Sequence, residues 1–179
     1  MSDEIKRIKR ELMYQGSILK IYCDHMQLPN GNIAKWDFVE HIGAAAVVPV
    51  TDEGKILMVK QYRSAIGRET IEIPAGCLDS KEEPGIVCAT RELEEETGCK
   101  SEELEPLLTL RTTVAFCNEK IEIFVAHNLK QGEQHLDENE FVDVYAYELS
   151  ELKEKILAGE IQDSKTVAAI MAYSIKYQE

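Results

Sequence analysis

No stretch of this chain stays apolar long enough to cross a bilayer, no two cysteines are spaced C-x-x-C, and basic residues are scarce. Without a run of ~20 apolar residues a membrane-spanning helix is excluded. The five cysteines (Cys23, Cys77, Cys88, Cys99 and Cys117) are scattered and odd in number. That disfavours a zinc site or a disulfide framework and fits a reducing, cytoplasmic home. The start, Met1-Ser2-Asp3-Glu4, has no apolar export core. Twenty Lys+Arg against 33 Asp+Glu give a formal charge of −13. Nucleic acid and anionic membranes are bound by basic faces, so neither is expected as a partner. A small anionic substrate remains open if a metal cation intervenes, and an acidic cluster would hold that cation.

What is present suits one domain, or one domain with a small appendage: 179 residues, 44% of them hydrophobic. The first forty residues read as strands, with a turn at Pro29-Asn30-Gly31-Asn32, where Asn-Gly tolerates positive φ. A hairpin of that size buries little alone, so residues 1–41 are expected to need another surface, and residues 42–179 form the main domain. The continuous apolar run 44–50 reads as a buried strand. Further strands are expected at 56–62, 70–73, 104–113, 120–127 and 141–148. Helices are expected at 84–97, after Ser150 as N-cap, and from about 164 to 177. Hairpin-ordered strands with few helices indicate an α+β fold.

The helix at 84–97 carries the chemistry. Pro84 suits its first turn and Gly98 its stop. At 100° per residue Ile86, Ala89, Thr90, Leu93 and Thr97 share one side, which is read as the buried one. Glu92, Glu95 and Glu96 share another, spaced i, i+3, i+4. Like charges so placed repel by about 0.2–0.5 kcal/mol per pair, and a divalent cation reverses that penalty. Taken alone, Glu94-Glu95-Glu96 reads more readily as the solvated face of an acidic protein.

The surroundings alter that reading. From Gly76 to Cys99 the chain resembles the Nudix box, G-x5-E-x7-R-E-U-x-E-E-x-G-U, with U bulky and apolar. Arg91-Glu92-Leu93-Glu94-Glu95-Glu96-Thr97-Gly98-Cys99 matches the second half throughout. The first half departs by one residue: with Glu83 as the first motif glutamate, six residues rather than five separate it from Gly76. A loop absorbs such an insertion more easily than a helix. The resemblance implies an α+β, α/β/α sandwich with a mixed sheet, preceded by an antiparallel hairpin region. It also implies a metal set of Glu92, Glu95, Glu96 and the Ala75 carbonyl for Mg²⁺ (or Mn²⁺), with Gly76, Glu83 and Arg91 supporting it.

Segments outside the box extend the resemblance to bacterial ADP-ribose pyrophosphatases: Pro29-Asn30-Gly31, Gln61-Tyr62-Arg63, Glu72-Ile73-Pro74-Ala75-Gly76, residues 137–144 and Asp163-Ser164-Lys165-Thr166. This wider resemblance implies a cytoplasmic homodimer, joined through its N-terminal hairpin, that cuts ADP-ribose to AMP and ribose 5-phosphate. Arg63 would grip a substrate phosphate and Trp36 would stack on the adenine. Glu140, or its rival Glu138, would orient or deprotonate the attacking water beside Glu95. The residue types alone also allow plain roles: an ion-paired surface arginine, a core tryptophan, acids of a solvated loop. Where relatives carry Ser-Pro-Gly, this chain has Thr113-Val114-Ala115-Phe116. Nucleotide sugars such as GDP-mannose therefore remain an alternative substrate class, and an inactive nucleotide-binding module remains a different kind of protein. His25, His41, His127 and His135 show no ligand spacing.

Overall fold

The computed structural model describes residues 4–136, 138 and 141–177. They form two compact units. The first comprises residues up to Ile42 together with Arg111–Lys120. Strands β1 (Lys6–Gln15), β2 (Lys20–Gln27) and β3 (Ile33–Glu40) make an antiparallel sheet in that order. The β2–β3 turn is closed by Leu28 N–H donating to Asn32 O at 2.9 Å, with Gly31 at φ 83°. Alternation splits the side chains of this sheet between two faces. On one, Arg10 forks onto Asp24 at 2.6 Å and lies 3.9 Å over the Phe38 ring. On the other, Glu11, Cys23 and His25 converge, and Glu11 is taken up by Lys9 and by His25 Nε2. Val39 N–H donates to Phe116 O at 2.7 Å, which ties segment 111–120 to β3.

The second unit contains β4 (Ala44–Pro49), β5 (Ile56–Arg63), β6 (Arg68–Glu72), β7 (Ala75–Cys77), α1 (Gly85–Thr97), β8 (Cys99–Lys100), β9 (Glu103–Arg111), β10 (Lys120–His127), β11 (Lys130–Gln131), β12 (Val142–Tyr147), α2 (Leu149–Leu157) and α3 (Ser164–Tyr177). The central sheet runs β7-β4-β10-β9. It is mixed, because β4 pairs parallel with β10 and antiparallel with β7. A second sheet, β12-β5-β6, is antiparallel.

The layering comes from the buried strand β4. All six of its residues are buried, so alternate side chains must meet apolar partners on both faces. Ala45 and Val47, with Phe124 and Ala126 of β10, pack on Cys88, Ala89 and Leu93 of α1. Ala46 and Val48, with Ile123 and Val125, pack on Leu149 and Leu152 of α2 and Ala169, Ile170 and Tyr173 of α3. The unit is an α/β/α sandwich, as expected.

Two local expectations change. α2 is capped not by Ser150 but by Glu148, in a capping box with Glu151. The two carboxylates satisfy each other's end of the first turn. The buried face of α1 is also rotated from the apolar side. Gly85, Cys88, Ala89, Glu92, Leu93, Glu96 and Thr97 are buried, whereas Ile86 and Thr90 face solvent. The helix turns its glutamates toward β7 and leaves apolar surface exposed.

Leu93 is fully buried between α1 and the sheet. Leu93→Ala is expected to lower unfolding free energy by about 2–5 kcal/mol in urea titration. A change near zero would mean that α1 is not docked through this residue.

Candidate functional site

The site begins with a close approach of strand and helix. At Gly76 a Cβ would lie 2.0 Å from Glu92 Oε1. Only glycine lets that carboxylate rest against β7. One residue earlier, Ala75 N–H donates to Glu96 Oε2 at 2.9 Å. Two motif glutamates are thus drawn against the short strand, although they are among the few buried charges of the chain: Glu92 is 8% exposed and Glu96 2%.

Arg91 makes this crowding tolerable. Its Nη1 donates to Glu92 Oε1 at 2.6 Å and to Glu95 Oε2 at 2.9 Å. Its Nη2 donates to the Cys77 carbonyl at 3.1 Å. Burial works against the guanidinium charge, but Glu92 and then Glu95 outweigh it and raise the pKa above the ordinary value. Glu83 folds the intervening loop. Its Oε2 accepts from Asp79 N–H at 2.6 Å, and its Oε1 lies 4.0 Å from Arg91 Nε. Glu82 is exposed. The extra residue of this loop therefore leaves a motif-like glutamate facing the arginine. Beneath it, burial and then Glu92 push the Cys88 thiol up to about 12, and it remains a packing group.

The donor chemistry fits a hard divalent cation. Three carboxylates, Glu92, Glu95 and Glu96, lie within about one turn of α1, and Glu96 accepts from the N–H of Ala75 on β7; Mg²⁺ and Mn²⁺ prefer such oxygens to nitrogen or sulfur. Glu95 has the most exposed side chain of the three, at 38%. It lines a groove of about 510 Å³ with Ile86, Val87, Thr90, Arg91, Glu94 and His135.

Arg63, at the end of β5, forks onto Glu72, with Nε at 2.8 Å and Nη2 at 2.7 Å. Desolvation pushes the Glu72 carboxyl up, but Arg63, Lys165 and Thr70 together overcome it and hold the pKa at about 2. Lys165 also donates to Asp163 Oδ2 at 2.9 Å, and Thr166 Oγ1 accepts from Ile73 N–H at 3.0 Å. Glu72 and Lys165 belong to segments that carried the resemblance, but sequence reading gave neither a role. They are 93 positions apart, and no periodicity links them.

The remaining expectations fall elsewhere. Glu138 is exposed in a turn. Glu140 lies outside the described residues. Before it, His135 N–H donates to Glu95 O at 3.0 Å, and Gln134 Nε2 donates to both Glu96 O and Val142 O. Trp36 belongs to the first unit. It is 46% exposed and lines a groove of about 590 Å³ with Lys35, Asp37, Ala115 and Phe116.

The NUDIX domain family matches residues 40–170 of the chain. The chain is 43% identical over 169 residues to a methanol dehydrogenase activator of Bacillus methanolicus, covering 93% of this chain and 91% of that protein. It is 40% identical over 175 residues to an ADP-ribose pyrophosphatase of Bacillus subtilis (strain 168), covering 97% and 94%. The crystal structure of an ADP compounds hydrolase superposes with a TM-score of 0.86 over 98% of this chain and 95% of its own, at 18% identity, a likeness of fold.

Two outcomes are expected of this geometry. Gly76→Ala should displace Glu92 and weaken Mn²⁺ binding about 10–100-fold by calorimetry; unchanged affinity would remove Glu92 from the metal set. Glu72, depressed from 4.5 to about 2, contributes stability that is full above the unfolded pKa and lost as pH falls toward the folded one. The stability gap between wild type and Glu72→Gln should therefore shrink between about pH 6 and about pH 3. A gap of constant size would contradict the pairing.

Proposed function

Because the chain belongs to the Nudix family, we propose that this Nudix hydrolase cuts the pyrophosphate bond of ADP-ribose with water, giving AMP and ribose 5-phosphate. The observation that carries the reading is the complete acidic set on α1 against Ala75 and Gly76, with Arg91 clasping it. The 40% identity to an ADP-ribose pyrophosphatase over nearly the whole chain supports the substrate.

Nudix hydrolases depend on a divalent metal, and Mg²⁺ or Mn²⁺ suits this donor set. When bound, such an ion offsets phosphate charge and lowers the pKa of a bound water. Glu92, Glu95, Glu96 and the Ala75 carbonyl would hold it. The chain's own groups do the rest. Arg63 presents a guanidinium fork to a phosphate. Glu140, or Glu138, orients the attacking water and takes its proton. Trp36 stacks on the base. Gly76 and Glu83 keep the loop in place, and Arg91 keeps the carboxylates together.

The first 42 residues expose Ile5, Ile8, Leu12, Met13, Tyr14, Ile18 and Ile33. A surface so apolar supports a homodimer formed through residues 1–41, and sedimentation as a monomer at micromolar concentration would overturn it. All five thiols are unpaired, and a cytoplasmic location fits them.

A second substrate class is favoured by one observation. The segment Thr113-Val114-Ala115-Phe116 stands where Ser-Pro-Gly is expected, and it exposes Val114 at 82%. Nucleotide sugars such as GDP-mannose belong in the same assay. Incubation with Mg²⁺ and a panel of ADP-ribose, GDP-mannose, NADH, diadenosine polyphosphates and CoA, read as nucleoside monophosphate, decides between them. ADP-ribose is expected to be cut fastest. Faster cleavage of another compound would move the substrate assignment, and tight nucleotide binding without product would make the protein a binding module. Glu96→Gln is expected to lower kcat on the order of 10²–10³-fold with the fold retained; near-normal turnover at saturating Mg²⁺ would refute the metal assignment.

A further inference from the structure

Glu72 carries more positive charge than one buried carboxylate needs. Its side chain is 3% exposed, and it receives Arg63 through two hydrogen bonds, Thr70 Oγ1 at 2.6 Å, and Lys165 Nζ. The two cations differ in access. The Arg63 side chain is 41% exposed, whereas that of Lys165 is 11% exposed and fixed by a second acid, Asp163, at 2.9 Å. Asp163 is itself anchored by Thr166 N–H at 3.0 Å and Thr166 Oγ1–H at 2.7 Å. Lys165 is therefore built in, and Arg63 is the one able to leave.

We propose that Lys165 is a positioning residue that keeps Glu72 paired while Arg63 exchanges Glu72 for a substrate phosphate. The inference rests on the reading above that Arg63 binds phosphate. Stripping a buried carboxylate of its only cation is strongly unfavourable, and with Arg63 as sole partner, Glu72 would compete with the substrate for the same guanidinium fork. Lys165 and Thr70 remain on Glu72 after Arg63 departs, so the exchange leaves no bare buried charge. The lysine therefore lowers the free-energy cost of releasing the arginine. The apparent Kd is then the intrinsic Kd divided by the fraction of molecules in which Arg63 is released.

The test compares kcat and KM for ADP-ribose, with the Kd for AMP, in Arg63→Met, Lys165→Met and the double variant Lys165→Met/Glu72→Gln. Lys165→Met is expected to raise KM and the AMP Kd about tenfold while kcat at saturation stays close to wild type, because saturating substrate draws Arg63 out. Neutralising Glu72 in the double variant frees Arg63 and is expected to return KM most of the way to wild type, an effect that general loosening of the fold does not produce. Lys165→Gln gives the same comparison if the methionine variant does not fold. If Arg63→Met raises KM but Lys165→Met does not, or if the double variant shows no recovery, the role of Lys165 is refuted. If Arg63→Met itself leaves KM and the AMP Kd unchanged, the phosphate reading of Arg63 fails first and the proposal falls with it.

Discussion

Arg91 is the cation on which the geometry of the acidic helix face depends. Its guanidinium reaches Glu92 and Glu95 through one nitrogen and the Cys77 carbonyl through another. Carboxylates a turn apart repel, and a helix free to rotate would send all of them to solvent with Ile86 and Val87 inward. Arg91 removes enough of that repulsion for the opposite choice. α1 sits with Glu92 and Glu96 buried beside Leu93, and with Ile86 and Val87 outside. The hydrophobic effect docks this helix through Cys88, Ala89 and Leu93, and the local ion network lets Glu92 and Glu96 be buried beside them.

Segment 72–76 is the other half of the arrangement, and it is held from both ends. Glu72 is anchored by Arg63 and Lys165, Ile73 N–H by Thr166, and Ala75 N–H by Glu96. A strand of three residues, β7, would be a loose edge by itself. It is made rigid because β5, α1 and α3 each contribute a polar contact to it or to the residues just before it. The acids of α1 therefore face a fixed backbone.

Much of this was legible from the sequence. β10 and α3 fall at the residues expected, because an apolar strand and a capped, periodic helix each announce their period. The ends of α1 were legible for the same reason: Gly98 adopts φ 70° and closes the helix by donating to Glu94 O. The rotation of α1 was not, since an apolar count assumes that glutamates face water, and nothing in the spacing reports that Gly76 leaves room for one. Nor was the Glu72–Lys165 contact, whose partners are joined only by the approach of α3 to β6. The insertion before Glu83 was visible as a count, but its resolution depended on loop geometry: Asp79 N–H folds back on Glu83, which leaves Glu82 outside.

The thiol of Cys88 lies under this loop, donating to the carbonyls of Gly76 and Cys77. Burial and then Glu92 push its pKa up to about 12, so the thiol stays protonated at neutral pH. Peroxide and alkylating agents attack thiolates, so this cysteine is protected from oxidants although it sits against the loop that shapes the site. Cys77, whose carbonyl it contacts, is exposed. Of the two sulfurs at this loop, Cys77 is the one open to solvent, and Cys88 belongs to the core under the carboxylates.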